Sequence, residues 1–149
     1  VNFYETVDEL VLLGPPPIRG PLTTLDLAEL ERHVDRWVKG SLFLTREVLG
    51  HFERRGKGVM ALVGTGVADD APLGGLLQGG FRGLTQALLK RHGEGGSILV
   101  NGFETGAAEG EGYAQFVHKS LQERARRISG RWFRYQSGLI ANLKPISRA

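Results

Sequence analysis

Apolar residues fall into two kinds of pattern along this chain, and the two alternate. Leu10–Leu13 (LVLL), Val59–Val63 (VMALV) and Ser97–Val100 (SILV, running on into Asn101-Gly102-Phe103) are short continuous runs. Turn formers bound them: Gly14-Pro15-Pro16-Pro17 after the first, Gly64-Thr65-Gly66 after the second, and His92-Gly93-Glu94-Gly95-Gly96 before the third. Runs of this length without polar alternation suit strands buried on both faces of a parallel sheet. Between them, apolar positions recur at helical spacing. Leu27, Leu30, Val34, Trp37, Val38, Leu42, Leu49 and Phe52 fit a 3.6-residue period from about Leu27 to Arg54, closed by Gly56 and Gly58. Asp26 ahead of it and Glu29 in its first turn have capping-box spacing. Leu73 to Arg91 reads as a second helix, Tyr113 to Arg127 as a third, and Arg131 to Gln136 as a last strand. This alternation predicts an α/β domain: a mostly parallel sheet of about four strands, helices on both faces, and right-handed crossovers.

The second helix is unusual in composition. Residues 73–92, LGGLLQGGFRGLTQALLKRH, hold glycines at 74, 75, 79, 80 and 83. Each interior glycine costs about 0.5–1 kcal/mol relative to alanine. Gly75, Gly79 and Gly83 are spaced by four and share one helix face. Small residues at that spacing let two backbones approach closely. These three are the expected lining of a tight helix–helix contact, with Leu73, Leu77, Leu84 and Leu88 turned to the sheet.

At 149 residues the chain suffices for one domain with one core, and its 41% hydrophobic and 23% charged residues are ordinary for a soluble globular protein. The absence of cysteine excludes disulfides, thiolate nucleophiles and sulfur-ligated zinc. No apolar run approaches the roughly 18 residues of a membrane helix. The acidic start, VNFYETVDEL, lacks the basic region of a signal peptide. A cytoplasmic protein without a membrane partner is the expectation. The net charge is +3, and Lys119, Arg124, Arg126, Arg127, Arg131 and Arg134 gather late in the chain around Trp132, Phe133 and Tyr135. Basic residues among aromatics can bind nucleic acid. No nucleic-acid-binding motif accompanies these, and they read as a solvated helix face leading into a strand. His33, His51, His92 and His118 lack metal-ligand spacing, and Asp69-Asp70 reads as a solvated loop, so no metal site is expected.

In order and spacing, several blocks resemble the short-chain dehydrogenase/reductase family. Val7–Pro15 (VDELVLLGP) resembles its fourth strand, and Leu27–Gly58, with VKGSLFLTREVL at its centre, the long helix that follows. Gly58–Gly66 (GVMALVGTG) resembles the fifth strand and the loop that bears the active-site serine. LGGLLQGGFRGLTQALL resembles the helix of the Tyr-x-x-x-Lys pair, Ser97–Gly106 (SILVNGFETG) the sixth strand, and Ile128–Gly138 (ISGRWFRYQSG) the closing strand. The resemblance spans about residues 7 to 138. It implies a partial Rossmann-like three-layer sandwich, equivalent to the C-terminal half of such an enzyme and forming a single domain over residues 1–149. The family's first strands and glycine-rich cofactor turn have no counterpart in these blocks.

The family's chemistry, as the resemblance implies it, passes hydride to or from NAD or NADP. A tyrosine exchanges the proton, a lysine lowers its pKa, a serine positions the substrate, and an asparagine supports a proton relay. Carried over, the serine falls on Thr65, the tyrosine on Gly74 (aligned through Gly83-Leu84-Thr85), the lysine on Gln78 and the asparagine on Trp37. Three of the four roles are vacant, since glycine has no side-chain proton and glutamine no charge. Around the nucleotide, Asn-Asn-Ala-Gly becomes Leu12-Leu13-Gly14-Pro15, and Pro-Gly becomes Thr105-Gly106. Gly106, Gly110 and Gly112 repeat the family's G-x-x-x-G-x-G phosphate spacing ahead of a helix. Glu109 and Glu111 would repel phosphate, and the position is that of a substrate loop, so the stretch reads as a loop.

The resulting expectation is a non-catalytic relative that holds no cofactor. It would act by self-association, as a homo-oligomer, or as the partner of a catalytic homologue. The family pairs these same helices around a two-fold axis, which implies Gly75, Gly79 and Gly83 as the interface. In the family the fourth strand lies beside the first; without that neighbour, the first strand here would be an open sheet edge that something must cover. One alternative is an NAD(P)-dependent oxidoreductase, or half of one, whose nucleotide-binding part is supplied elsewhere. A second is weak nucleic-acid binding by the late basic cluster.

Overall fold

A computed structural model describes residues 6–66, 70–93, 95–106 and 110–136. Strand β1 (Glu9–Leu13) leads through a proline-rich loop and a 3-10 turn (Leu22–Thr24) into a long continuous helix. Its parts are α1 (Leu27–His33), a π-helical stretch (Val34–Lys39) and α2 (Gly40–Arg55). Then come β2 (Gly58–Val63), α3 (Pro72–Arg91), β3 (Ile98–Thr105), α4 (Glu111–Glu123) and β4 (Arg131–Tyr135). The strands form one parallel sheet in the order β1-β2-β3-β4. This is the α/β architecture that the alternation predicts.

Successive side chains of a strand point to opposite faces, and this sorts the core into two layers. Leu12, Met60, Leu62, Val100 and Trp132 face α2 and α3, meeting Phe52, Phe81, Leu88 and Leu89. Ala61, Val63, Phe103 and Phe133 face α4, meeting Tyr113, Val117 and Leu121. Leu73, Leu77 and Leu88 are buried and Leu84 packs on the same core, as the helical spacing predicts. The strands are parallel and added in one direction, so the β3–α4–β4 crossover has the opposite hand to the two before it. Right-handed crossovers throughout, as the sequence suggested, would stack every helix on one face. Ala61, Val63 and Phe103 would then lie open to water.

Close approach of the layers depends on bare backbone. A Cβ at Gly102 of β3 would stand 2.6 Å from the Trp132 ring and 2.8 Å from Thr85 Cγ2. One at Gly74 of α3 would stand 2.7 Å from the carbonyl oxygen of Ile18.

Three details differ from the expectations. Leu10 and Leu12 of β1 pack on the α2–α3 core, but Val11 and Leu13 are 42% and 60% exposed, because the core under α4 takes in no residue of β1. The edge strand is therefore buried on one face only. Asp26 is the N-cap of α1, but its side chain makes no capping hydrogen bond. It lies exposed to water, so the capping box does not form. Helix α4 stops at Glu123 rather than Arg127, because the following turn delivers the carbonyls of Ala125 and Ile128 to the buried amide of Asn101. No helix among the described residues is long and apolar enough to cross a membrane.

Candidate functional site

Open parallel sheets bind ligands at the carboxyl ends of their strands. At that end of this sheet lies a cavity of about 230 Å³. Pro15, Gly64, Thr65, Phe81, Trp132 and the α3 glycines Gly75 and Gly79 line it, with Gln78, Arg82, Glu104 and Thr105 adding polar atoms. The sheet ladder continues into the loops that shape it. Gly14 N–H donates to Val63 O and Gly64 N–H to Phe103 O, both at 2.8 Å. From the α4 side, Tyr113 Oη donates to Gly64 O at 2.8 Å.

Thr65 and Gln78 meet at the base of the cavity. The Thr65 hydroxyl donates to the carbonyl of Pro15. Gln78 Nε2 donates to Thr65 Oγ1 at 3.2 Å and to Gly66 O at 2.9 Å. A carbonyl only accepts, so the Gly66 contact fixes which way the amide faces. These bonds tie three segments together: the loop after β1, the loop after β2, and α3. On the polar wall, Glu104 accepts from Arg134 Nε at 3.1 Å and Nη2 at 2.7 Å, and from Arg82 Nε at 3.3 Å. The Arg82 guanidinium also lies 5.4 Å above the centre of the Trp132 ring.

The other residues singled out from sequence lie elsewhere. Gly74 is packed on the Ile18 backbone, where no side chain fits. Trp37 is half buried in the π-helical stretch, with Arg36 5.1 Å from its ring, and does not line the cavity. The side chain facing the Thr65 hydroxyl is Gln78, and the residue one turn on is Arg82. Gln78 is the position that the Gly83-Leu84-Thr85 alignment gives to the family's lysine. Neither an amide nor a guanidinium can play the tyrosine's part as proton donor. Among the described tyrosines, Tyr113 and Tyr135 pack on the α4 side of the sheet. Tyr4 lies outside the described residues.

A Cβ on Gly75, Gly79 or Gly83 would meet nothing within 4 Å, so the stripe touches no other helix among the described residues. Gly75 and Gly79 line the cavity and Gly83 does not. Gly110 is the N-cap of α4, and Gly112 lies in its first turn beneath the Tyr135 hydroxyl. Residues 107–109, Glu109 included, and Asp69 lie outside the described residues, while Gly106 follows β3 directly. In the late basic cluster, Arg134 is held by Glu104, and Arg126 Nη2 donates to Glu9 at 3.1 Å. Among the described residues, no group of three or more His, Asp or Glu is placed to hold a metal.

A nicotinamide dinucleotide does not fit these residues by themselves. The cavity, about 230 Å³, is below the roughly 300–1,000 Å³ that drug-sized ligands occupy. Phe81 closes the Gly14 turn, its ring 2.8 Å from where a Cβ would stand.

Comparison of the fold with solved structures finds many close neighbours. An acetoin dehydrogenase from Enterobacter cloacae superposes with a TM-score of 0.68 at 15% identity, over 87% of this chain and 62% of its own. A 3-ketoacyl-(acyl-carrier-protein) reductase from Brucella melitensis, complexed with NADH, gives 0.65 at 18%, over 89% of this chain and 66% of its own. A protein assigned as a short-chain dehydrogenase/reductase, from Burkholderia xenovorans, gives 0.63 at 15%, over 89% and 64%. The chain thus has the fold of part of a short-chain dehydrogenase/reductase, spanning about 62% of the length of the first structures it matches. No family model matches the sequence, and no curated protein matches it.

Proposed function

We propose that this chain is a non-catalytic form of the short-chain dehydrogenase/reductase fold that acts in the cytoplasm by association, with a second copy of itself or with a catalytic homologue. One observation carries the reading. The Thr65 hydroxyl and the Gln78 amide nitrogen facing it are taken up in hydrogen bonds to Pro15 and Gly66. They brace the loops around the cavity, where an enzyme of this fold would present a proton donor to substrate. Association draws support from the outer helix surfaces. Val38, Leu42 and Phe43 on the long helix and Leu76 on α3 are exposed, Leu76 by 71%. Beside Leu76, the bare positions Gly80 and Gly83 leave room for a partner helix.

Two measurements test the reading. Titration of the chain with NADH and NADPH, followed by nucleotide fluorescence, is expected to show no saturable binding. Saturable binding with turnover of a carbonyl substrate would overturn it in favour of an oxidoreductase. Light scattering is expected to give the mass of a dimer or larger for the wild type and of a monomer for Gly83→Leu. A monomeric wild type that also fails to associate with a catalytic enzyme of this fold would refute the association.

A further inference from the structure

The cavity at the carboxyl ends of the strands has one cation that is positioned but not used up. Arg82 Nε is on Glu104 and its guanidinium plane lies over Trp132. Its two Nη groups make no hydrogen bond to any described residue. Glu104 is meanwhile taken by Arg134 through two shorter bonds. Among the described residues, two guanidinium charges against one carboxylate leave a single positive charge in excess there. Although the Arg82 side chain is 59% exposed, its bond at Nε and its place over the ring leave it less freedom to lose on binding. Its free edge is the fork that recognises a carboxylate through two parallel hydrogen bonds.

Behind that fork the walls are flat and apolar: the rings of Phe81 and Trp132, Pro15, and the bare helix backbone at Gly75 and Gly79. Those two glycines are what open the space, because the volume a Cβ would fill at either is empty. An engineered cavity of about 150 Å³ admits benzene, so about 230 Å³ holds one ring with a short acidic arm. We propose that the cavity is a binding site for a small aromatic monocarboxylate, its ring between Phe81 and the α3 glycines and its carboxylate on the Nη groups of Arg82. The site lies within one chain and does not rest on the association proposed above. It also differs from the carbonyl substrate that the fold's resemblance implies, because it binds an anion and supplies no proton.

The test uses the intact chain with phenylacetate, and with phenylacetamide as its uncharged counterpart, followed by two-dimensional NMR. Phenylacetate is expected to bind saturably, at least tenfold more tightly than phenylacetamide, and to shift the Gly75 and Gly79 amides and the Trp132 indole N–H. Arg82→Gln should abolish the preference for the acid. Gly79→Val, which fills the cavity, should abolish binding of both probes while leaving the melting temperature at or above that of the wild type. Gly83→Leu, outside the cavity, should bind phenylacetate as the wild type does. The two wild-type titrations decide the matter whether or not the variants fold. A preference below tenfold, no saturable binding of phenylacetate, or shifts confined to the late basic cluster would each overturn the proposal.

Discussion

Asn101 is fully buried in β3, and its amide joins three segments. Nδ2 donates to the carbonyls of Ile128 at 2.8 Å and Ala125 at 3.3 Å, and Oδ1 accepts from Arg131 N–H at 3.2 Å. Asn101 is also the residue that pairs with Arg131 where β4 joins the sheet. The side chain thus ends α4 and starts β4 in register. Asn101→Leu keeps the bulk and removes all three bonds. Each net hydrogen bond contributes about 0.5–1.5 kcal/mol, and a buried group left without a partner costs about 1–3 kcal/mol. Water can reach some of the freed groups through the half-exposed turn, so the expected loss is about 3–5 kcal/mol. At roughly 2–4 °C per kcal/mol for a domain near this size, the melting temperature should fall by about 6–20 °C. Urea denaturation followed by circular dichroism measures the loss directly. The control is Ser120→Ala. Ser120 is equally buried, but its Oγ has no hydrogen-bond partner. Removing that hydroxyl should change stability by less than about 0.5 kcal/mol, or raise it. If Asn101→Leu were no worse than Ser120→Ala, the buried amide would not be what holds the α4–β4 corner.

Two further outcomes follow from the packing and from one titrating group. Gly102→Ala forces a methyl between Trp132 and Thr85 and should destabilise by about 1–3 kcal/mol, as overpacking does; a urea midpoint unchanged from wild type would show that the layers yield freely. Burial, with Arg91 adding to it, lowers the pKa of His92. The folded chain then binds that proton less readily than the unfolded chain. Its contribution to stability is present above the unfolded value of about 6.5 and is lost as the pH falls through the folded one. Thermal melts from about pH 7.5 down to 5 should show His92→Gln losing less stability than the wild type across that window, and parallel curves would refute the assignment.

The helices were legible from their 3.6-residue period and the strands as short apolar runs between turn formers. Val59–Val63 and the helix from Leu73 to Arg91 come out within one residue of the observed elements. Two features of the fold were not legible, because tertiary context decides them. A continuous apolar run such as LVLL looks the same on an edge strand as on a central one. Only the arrangement of α4 over β2, β3 and β4 shows that Val11 and Leu13 face water. The hand of the last crossover was hidden for the same reason. The apolar stripe of α4, Tyr113, Val117 and Leu121, does not say which face of the sheet it meets.

Of the residues carried over from the resemblance, Thr65 and Gln78 meet at the cavity, and Gly74 and Trp37 do not line it. Thr65 was identified from the strand and turn before it, and the structure does place it at the cavity. On the helix opposite, Gln78, carried over from the lysine, hydrogen-bonds Thr65, while Gly74, carried over from the tyrosine, packs on the Ile18 backbone. Which of the two meets the hydroxyl depends on how α3 packs and is not written in a spacing. The cavity separates the α3 glycines into two groups. A stripe needed only for close packing would require a partner at Gly75, Gly79 and Gly83 alike. The cavity accounts for the first two without any partner, which leaves Gly83 as the member on which the proposed association would depend. Loss of the dimer in Gly83→Leu, with phenylacetate binding intact, would assign the two groups separate tasks. Loss of both together would mean that one surface serves for both.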